Sequence, residues 1–151
     1  MEFSIVPMEL MHLPEVMEIE RDSFIDPWTE YAFRNEISDN PHAAYFVALV
    51  EDRVVAFIGG WLIIDQLYIT NLAVDPRYRQ QGIAKALLDA IMAYSWGEGI
   101  REATLEVRVS NNSAISLYQK KGFVSVGIRP GYYLNNNEDG ANAVTVLIDR
   151  S

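Results

Sequence analysis

The sequence predicts an α/β fold, a mixed sheet with helices packed on its faces. Three observations lead there. Hydrophobic periodicity along the 151 residues switches in the order β, α, α, β, β, β, α, β, α, β, β. The three consecutive strands in the middle follow one another through short turns, which makes an antiparallel meander inside an otherwise alternating chain. The residues are 50% hydrophobic and 22% charged, with 9 Gly and 6 Pro, the balance of a chain that folds around a sizeable core.

Each element has its own local cause. Phe3 and Ile5 alternate with polar neighbours as a short first strand. Leu13, Val16, Met17 and Phe24 recur at helical spacing, and Pro27 ends or redirects that segment. Thr29, followed by Glu30, is an N-cap for a second helix running to about Ser38, before the Asn40-Pro41 turn. Residues 43–50, 53–64 and 66–74 are the meander strands, and Glu51-Asp52 fits a tight hairpin between the first two. Ile83, Leu87, Leu88, Ile91 and Tyr94 form the apolar face of a long helix whose C-cap is expected at Gly97 or Gly99. Residues 103–109 alternate as a strand. Asn111 or Asn112 caps a helix carrying Ala114, Ile115, Leu117 and Tyr118, closed at Gly122. Residues 123–128 and 144–148 supply the last strands. No repeat, low-complexity tract or linker interrupts the chain, so residues 1–151 are expected to form a single domain.

The 12 basic and 21 acidic side chains leave a net charge of −9, which disfavours broad contact with nucleic acid or an anionic membrane and favours a cationic partner. The absence of Cys excludes a disulfide framework, a thiol nucleophile and any Cys-ligated metal centre. His12 and His42 have no obvious partner and read as structural or exposed; no metal is expected. The N-terminus lacks the basic and apolar regions of a signal peptide, and the longest apolar run, 54–64, is far below the ~20 residues of a membrane span. A cytoplasmic protein is expected.

The most informative stretch runs from Asn71 to Leu88, where a strand stops at Asp75-Pro76 and a loop enters a helix near Gly82. Backbone N–H groups of Gln80, Gln81, Gly82, Ile83 and Ala84 would point out at the positive end of the helix dipole, where a pyrophosphate can accept them. Gly82 and Ala84 lack bulk that would keep phosphate oxygens away, and Arg79 and Lys85 add positive charge. The loop chemistry alone equally allows Gly82 to relax a turn and the arginines to lie on a solvated face. Neither a GxxxxGK[ST] loop nor a GxGxxG after a strand occurs, which makes ATP and NAD poor candidates.

Arg79-Gln80-Gln81-Gly82-Ile83-Ala84 matches the (Q/R)xxGx(G/A) signature of the GCN5-related N-acetyltransferases (GNAT). The segment from Asn111 to Phe123 matches that family's second signature, N-x-x-A-x-x-L-Y-x-x-x-G-F. The chain resembles the family over nearly its whole length. Through Leu72-Ala-Val-Asp75, Leu105-Glu-Val-Arg108 and Tyr132-Tyr133 it is similar to the branch that acetylates the N-terminal alanine of the eighteenth small-subunit ribosomal protein. The resemblance implies the acyl-CoA N-acyltransferase fold, a mixed and mostly antiparallel central sheet flanked by helices. It implies acetyl-CoA as co-substrate: the backbone of Leu72, Ala73 and Val74 would pair with the pantetheine arm, Gln80, Gln81, Gly82, Ile83, Ala84 and Lys85 would hold the pyrophosphate, and Asn111 would touch the cofactor. Pantetheine amides can extend a strand edge as a peptide does, so the physical reading agrees.

Acetyl transfer to an amine needs a proton acceptor, an oxyanion donor and a proton for the leaving thiolate. Glu106 lies between apolar neighbours on its strand; alternation alone also allows a solvated face, and the resemblance makes it the base. Tyr118 follows the Asn cap, and the resemblance makes it the acid; its phenol, with an ordinary pKa of about 10 against about 8.5 for a thiol, suits that role. A backbone N–H near Val74 is the expected oxyanion donor, at a splay of the sheet. An α-amine of pKa about 7.7–8.0 is easier to deprotonate than a lysine of about 10.4, by more than about 3 kcal/mol at pH 7. That favours a protein N-terminus as acceptor, with lysine or a small-molecule amine as the alternative enzyme reading and a non-catalytic CoA-binding sensor as the alternative class. Trp28, Tyr132 and Tyr133 either wall an acceptor slot or pack in the core. Gly140-Ala141-Asn142 stands where the branch carries Ala directly after Glu-Asp, which singles out residues 134–142 as the loop in which acceptor fit differs.

Overall fold

The computed structural model describes residues 2–132 and 142–150. Strands β1 (Ser4–Pro7), β2 (Ala43–Val50), β3 (Arg53–Ile63), β4 (Gln66–Val74), β5 (Glu102–Arg108), β6 (Val124–Arg129) and β7 (Ala143–Asp149) form a seven-stranded sheet in the order β1-β2-β3-β4-β5-β7-β6. Helices α1 (Leu13–Ser23), α2 (Glu30–Ser38), α3 (Ile83–Gly97) and α4 (Asn112–Lys120) connect them. Every pairing is antiparallel except β4 with β5, the two strands joined through α3. The expected mixed, mostly antiparallel sheet is therefore observed. β7 enters between β5 and β6, filling the gap left when α4 carries the chain from one to the other.

Strand alternation sends apolar residues to both faces and makes two cores. Val47 and Phe57 face α1 and α2, with Leu13, Val16, Met17 and the fully buried Phe33. Ala48 and Ile58 face α3, with Ile83, Leu87, Leu88 and Ile91. Burial of each large side chain contributes about 1.5–3 kcal/mol, so the helices are held by packing rather than by propensity.

Local chemistry fixes the joints. Glu51 and Asp52 both take positive φ, 50° and 67°, as a two-residue hairpin turn requires. Thr29 Oγ1 accepts from the Ala32 N–H, and Asn111 Oδ1 from the Ala114 N–H, the two expected N-caps. His12 is buried, its Nδ1 accepting from the Glu9 N–H, which makes it structural. Boundaries differ slightly from expectation. Phe24 is extended rather than helical, because Glu20 turns inward to receive the chain beyond α1. Ile64 leaves β3 for a left-handed turn with φ of 59°.

Candidate active site

β4 and β5 pair only from Gln66–Glu102 to Tyr68–Thr104, yet β4 continues to Val74 and β5 to Arg108. The strands splay beyond that point, as expected near Val74. Leu72, Ala73 and Val74 keep β3 on one side, opposite Ile58, Phe57 and Ala56, so their other backbone edge lines the opening. Arg79 Nε donates to the Val74 carbonyl at 3.1 Å and folds the following loop back on the strand. Asp75 takes the Arg77 guanidinium and backbone N–H, and that guanidinium holds its carboxyl below the usual range.

The loop then delivers α3 with a bare N-terminus. Gly82 is the N-cap with φ of 83° and no side-chain hydrogen bond, and the first helical bond runs from the Ala86 N–H to the Gly82 carbonyl. The N–H groups of Ile83, Ala84 and Lys85 precede that bond. A Cβ built on Gly82 would meet nothing within 4 Å, and Gln80 adopts a left-handed φ of 61°. This open, backbone-lined cup at the positive end of a helix fits a pyrophosphate. Lys85 is exposed and lies 3.6 Å from Asp89. Asn111 spends its side-chain oxygen on the α4 cap.

Glu106 occupies the β5 side of the splay, its side chain only 5% exposed. Tyr68 donates its phenol proton to Oε1, Thr145 Oγ1 donates to Oε2 at 3.0 Å, and Arg129 Nη1 stands 3.7 Å from Oε2. The carboxyl group is thus oriented and withdrawn from bulk water, so the solvated-face alternative does not apply. Burial, followed by the bond to Glu106, pushes the Tyr68 phenol well above its ordinary pKa and keeps it a donor. Tyr132 reaches the Tyr68 oxygen at 3.2 Å, and Arg129 lies over the Tyr132 ring at 4.8 Å.

Tyr118 is the buried residue of α4, 4% exposed, edge-on to Phe123. Trp28 packs on Phe33 with ring centroids 5.2 Å apart, and its backbone N–H donates to the buried Glu20 carboxyl. Trp28 and Tyr132 meet different neighbours and are joined through Phe33, Tyr45, Glu36, Trp61 and Tyr68 in a chain of contacts. Tyr133 lies outside the described residues, as does most of the 134–142 loop. Asn142 is described: its Oδ1 accepts from the Gly131 N–H and its carbonyl from the Val109 N–H, pinning the base of β6 and β7. Tyr68, Thr145, Trp61 and Glu36 escape sequence reasoning. The facing positions of Trp61 and Tyr68 were readable from the β3–β4 hairpin, whereas their approach to Glu106 depends on β5 and β7. Among the described residues no His, Asp and Glu cluster could hold a metal, and no helix is long and apolar enough to cross a membrane.

The chain belongs to the acetyltransferase (GNAT) family, whose model matches residues 13–123. A Bacillus subtilis relative provisionally named as a ribosomal protein bS18-alanine N-acetyltransferase is 39% identical over 132 residues, 87% of each chain. The ribosomal protein bS18-alanine N-acetyltransferase of Escherichia coli K12 is 32% identical over 130 residues, 86% of each chain. The crystal structure of the ribosomal-protein-S18-alanine N-acetyltransferase from Escherichia coli superposes with a TM-score of 0.88 at 30% identity, covering 99% of this chain and 95% of that one.

Proposed function

We propose that this protein transfers the acetyl group of acetyl-CoA to the N-terminal α-amine of a protein, the alanine that begins ribosomal protein bS18. The observation that carries the chemistry is the Glu106 carboxylate, buried at the splay of β4 and β5 and held by Tyr68 and Thr145. The identity to two bS18-alanine acetyltransferases along most of the chain supports the acceptor.

In this reading the open edge of Leu72, Ala73 and Val74 pairs with the pantetheine amides, and residues 80–85 hold the pyrophosphate. Glu106 takes a proton from the acceptor ammonium, the freed amine attacks the thioester carbonyl, and an N–H near Val74 stabilises the oxyanion. The N–C bond forms first and gives the tetrahedral oxyanion. As that collapses the C–S bond breaks, Tyr118 gives its proton to the departing thiolate, and the proton still on the former amine nitrogen is lost and restores the Tyr118 phenol. Trp28 and Tyr132 border the acceptor's path. An enzyme with this acceptor works in the cytoplasm, where its substrate is made. The reaction needs no metal.

Thiol release from acetyl-CoA with two peptides tests the reading, one with a free N-terminal alanine and one blocked there but containing lysine. Release with the free N-terminus alone, and a mass gain on that alanine, is expected. Release only with the blocked peptide would move the assignment to lysine; silence with both would leave a small amine or a binding role.

A further inference from the structure

We propose that Glu36 of α2, which belongs to neither family signature, is a positioning residue for the proton acceptor: it fixes Trp61 against Tyr68 and so sets the phenol that donates to Glu106. The inference rests on the reading of Glu106 as the base.

The Glu36 carboxylate is filled by donors from three directions. Its Oε1 accepts from the Tyr45 hydroxyl at 2.9 Å and from the Trp61 indole Nε1, while Oε2 accepts from Asn40 Nδ2 at 2.9 Å. A carboxylate offers acceptors only, which suits a place where every neighbour is a donor. The Tyr45 side is built to receive it. A Cβ on Gly59 would fall 2.0 Å from the Tyr45 ring, so glycine there lets the ring lie on the sheet. The Tyr45 hydroxyl also stands 3.4 Å from Oγ1 of Thr70, the extra residue of a bulge in β4.

Trp61 passes this constraint on. Its ring stacks on Tyr68 at 6.1 Å between centroids and 29° between planes, and the bond from Nε1 to Glu36 selects one rotation of the indole. Tyr68 donates to Glu106 from the other end of the stack. Two rings therefore separate the α2 carboxylate from the catalytic one. A misplacement near 1 Å at a reacting group can lower turnover by about 10²-fold, so loosening this stack reaches the chemistry without touching a substrate. A purely structural Glu36 would instead tie α2 to the sheet and affect stability alone.

The test uses the full chain with acetyl-CoA and the free-alanine peptide, measuring kcat and both KM values for Glu36→Ala, Glu36→Gln, Trp61→Phe and the Glu36→Ala/Trp61→Phe pair. Glu36→Ala should lower kcat by about tenfold or more, with KM for acetyl-CoA within about twofold. Glu36→Gln should restore much of the rate, since its amide oxygen still accepts from Tyr45 and Trp61, while Asn40, whose own oxygen is held by the His42 N–H, loses its acceptor. The pair should be no slower than the worse single variant, because both act through one stack. Wild-type kcat in Glu36→Ala or in Trp61→Phe, or losses that multiply in the pair, would overturn the proposal. If Glu36→Ala fails to fold, Trp61→Phe still decides it, since it removes the indole N–H that Glu36 holds and wild-type kcat there would overturn the proposal. Absence of peptide-dependent thiol release in the unmodified protein would be a failure of the acetyltransfer reading itself.

Discussion

The half of the cleft at the start of α3 is made of backbone, whereas the half around Glu106 is made of side chains. The first needs a strand end, a loop with left-handed Gln80 and Gly82, and an uncapped helix, all within residues 72–85. The second draws Tyr68 from β4, Glu106 from β5, Thr145 from β7 and Arg129 from β6, with α2 and β3 behind them. Under the proposed function, the contrast separates how the co-substrate and the acceptor would be held. A cup of N–H groups tolerates side-chain change, whereas a cluster of side chains does not.

Variants that separate the halves sharpen the comparison. The largest effect is expected for Glu106→Gln, which keeps the shape but cannot take a proton: kcat with the peptide should fall about 10²- to 10⁴-fold. Acetyl-CoA affinity measured by calorimetry should hold, and a matching loss of affinity would show that the halves are not separate. Tyr118→Phe should reduce kcat by about tenfold or more with affinity intact; unchanged turnover would remove Tyr118 from the reaction.

A smaller effect concerns stability. Glu20 is 1% exposed, and burial raises its pKa above 4.5, against the pull of the Trp28 N–H. As pH climbs past that value the unfolded chain ionises first, so the native state loses stability on the alkaline side. Glutamine keeps an acceptor for Trp28 without a charge. The Tm advantage of Glu20→Gln over the unmodified protein should therefore grow by a few degrees from about pH 4 to about pH 8, as calorimetric scans would register; an advantage that shrinks over that range would mean the carboxyl is stabilised in its ionised form.

The same contrast decides how much was legible in the sequence. Caps at Thr29 and Asn111, the hairpin at Glu51-Asp52 and the cup at Gly82 are short-range features, and each lies where local chemistry indicates. The motif singled out Glu106 but none of its partners. Strand alternation leaves its face open, and Thr145 comes opposite only because β7 inserts beside β5. Trp28, read as either slot wall or core, packs against the fully buried Phe33 and opens a contact chain towards the site. No local pattern encodes Glu36, whose three donors come from a turn and two strands.

The division between the halves is tested most directly by acetyl-CoA calorimetry on Gly82→Asp, paired with turnover at saturating acetyl-CoA. An L-residue at φ of 83° is strained, and its carboxylate would face the phosphates in the cup. Affinity should weaken by about 10²-fold, while turnover at saturation stays near that of the unmodified protein. Unaltered affinity would contradict the placement of the pyrophosphate at the start of α3.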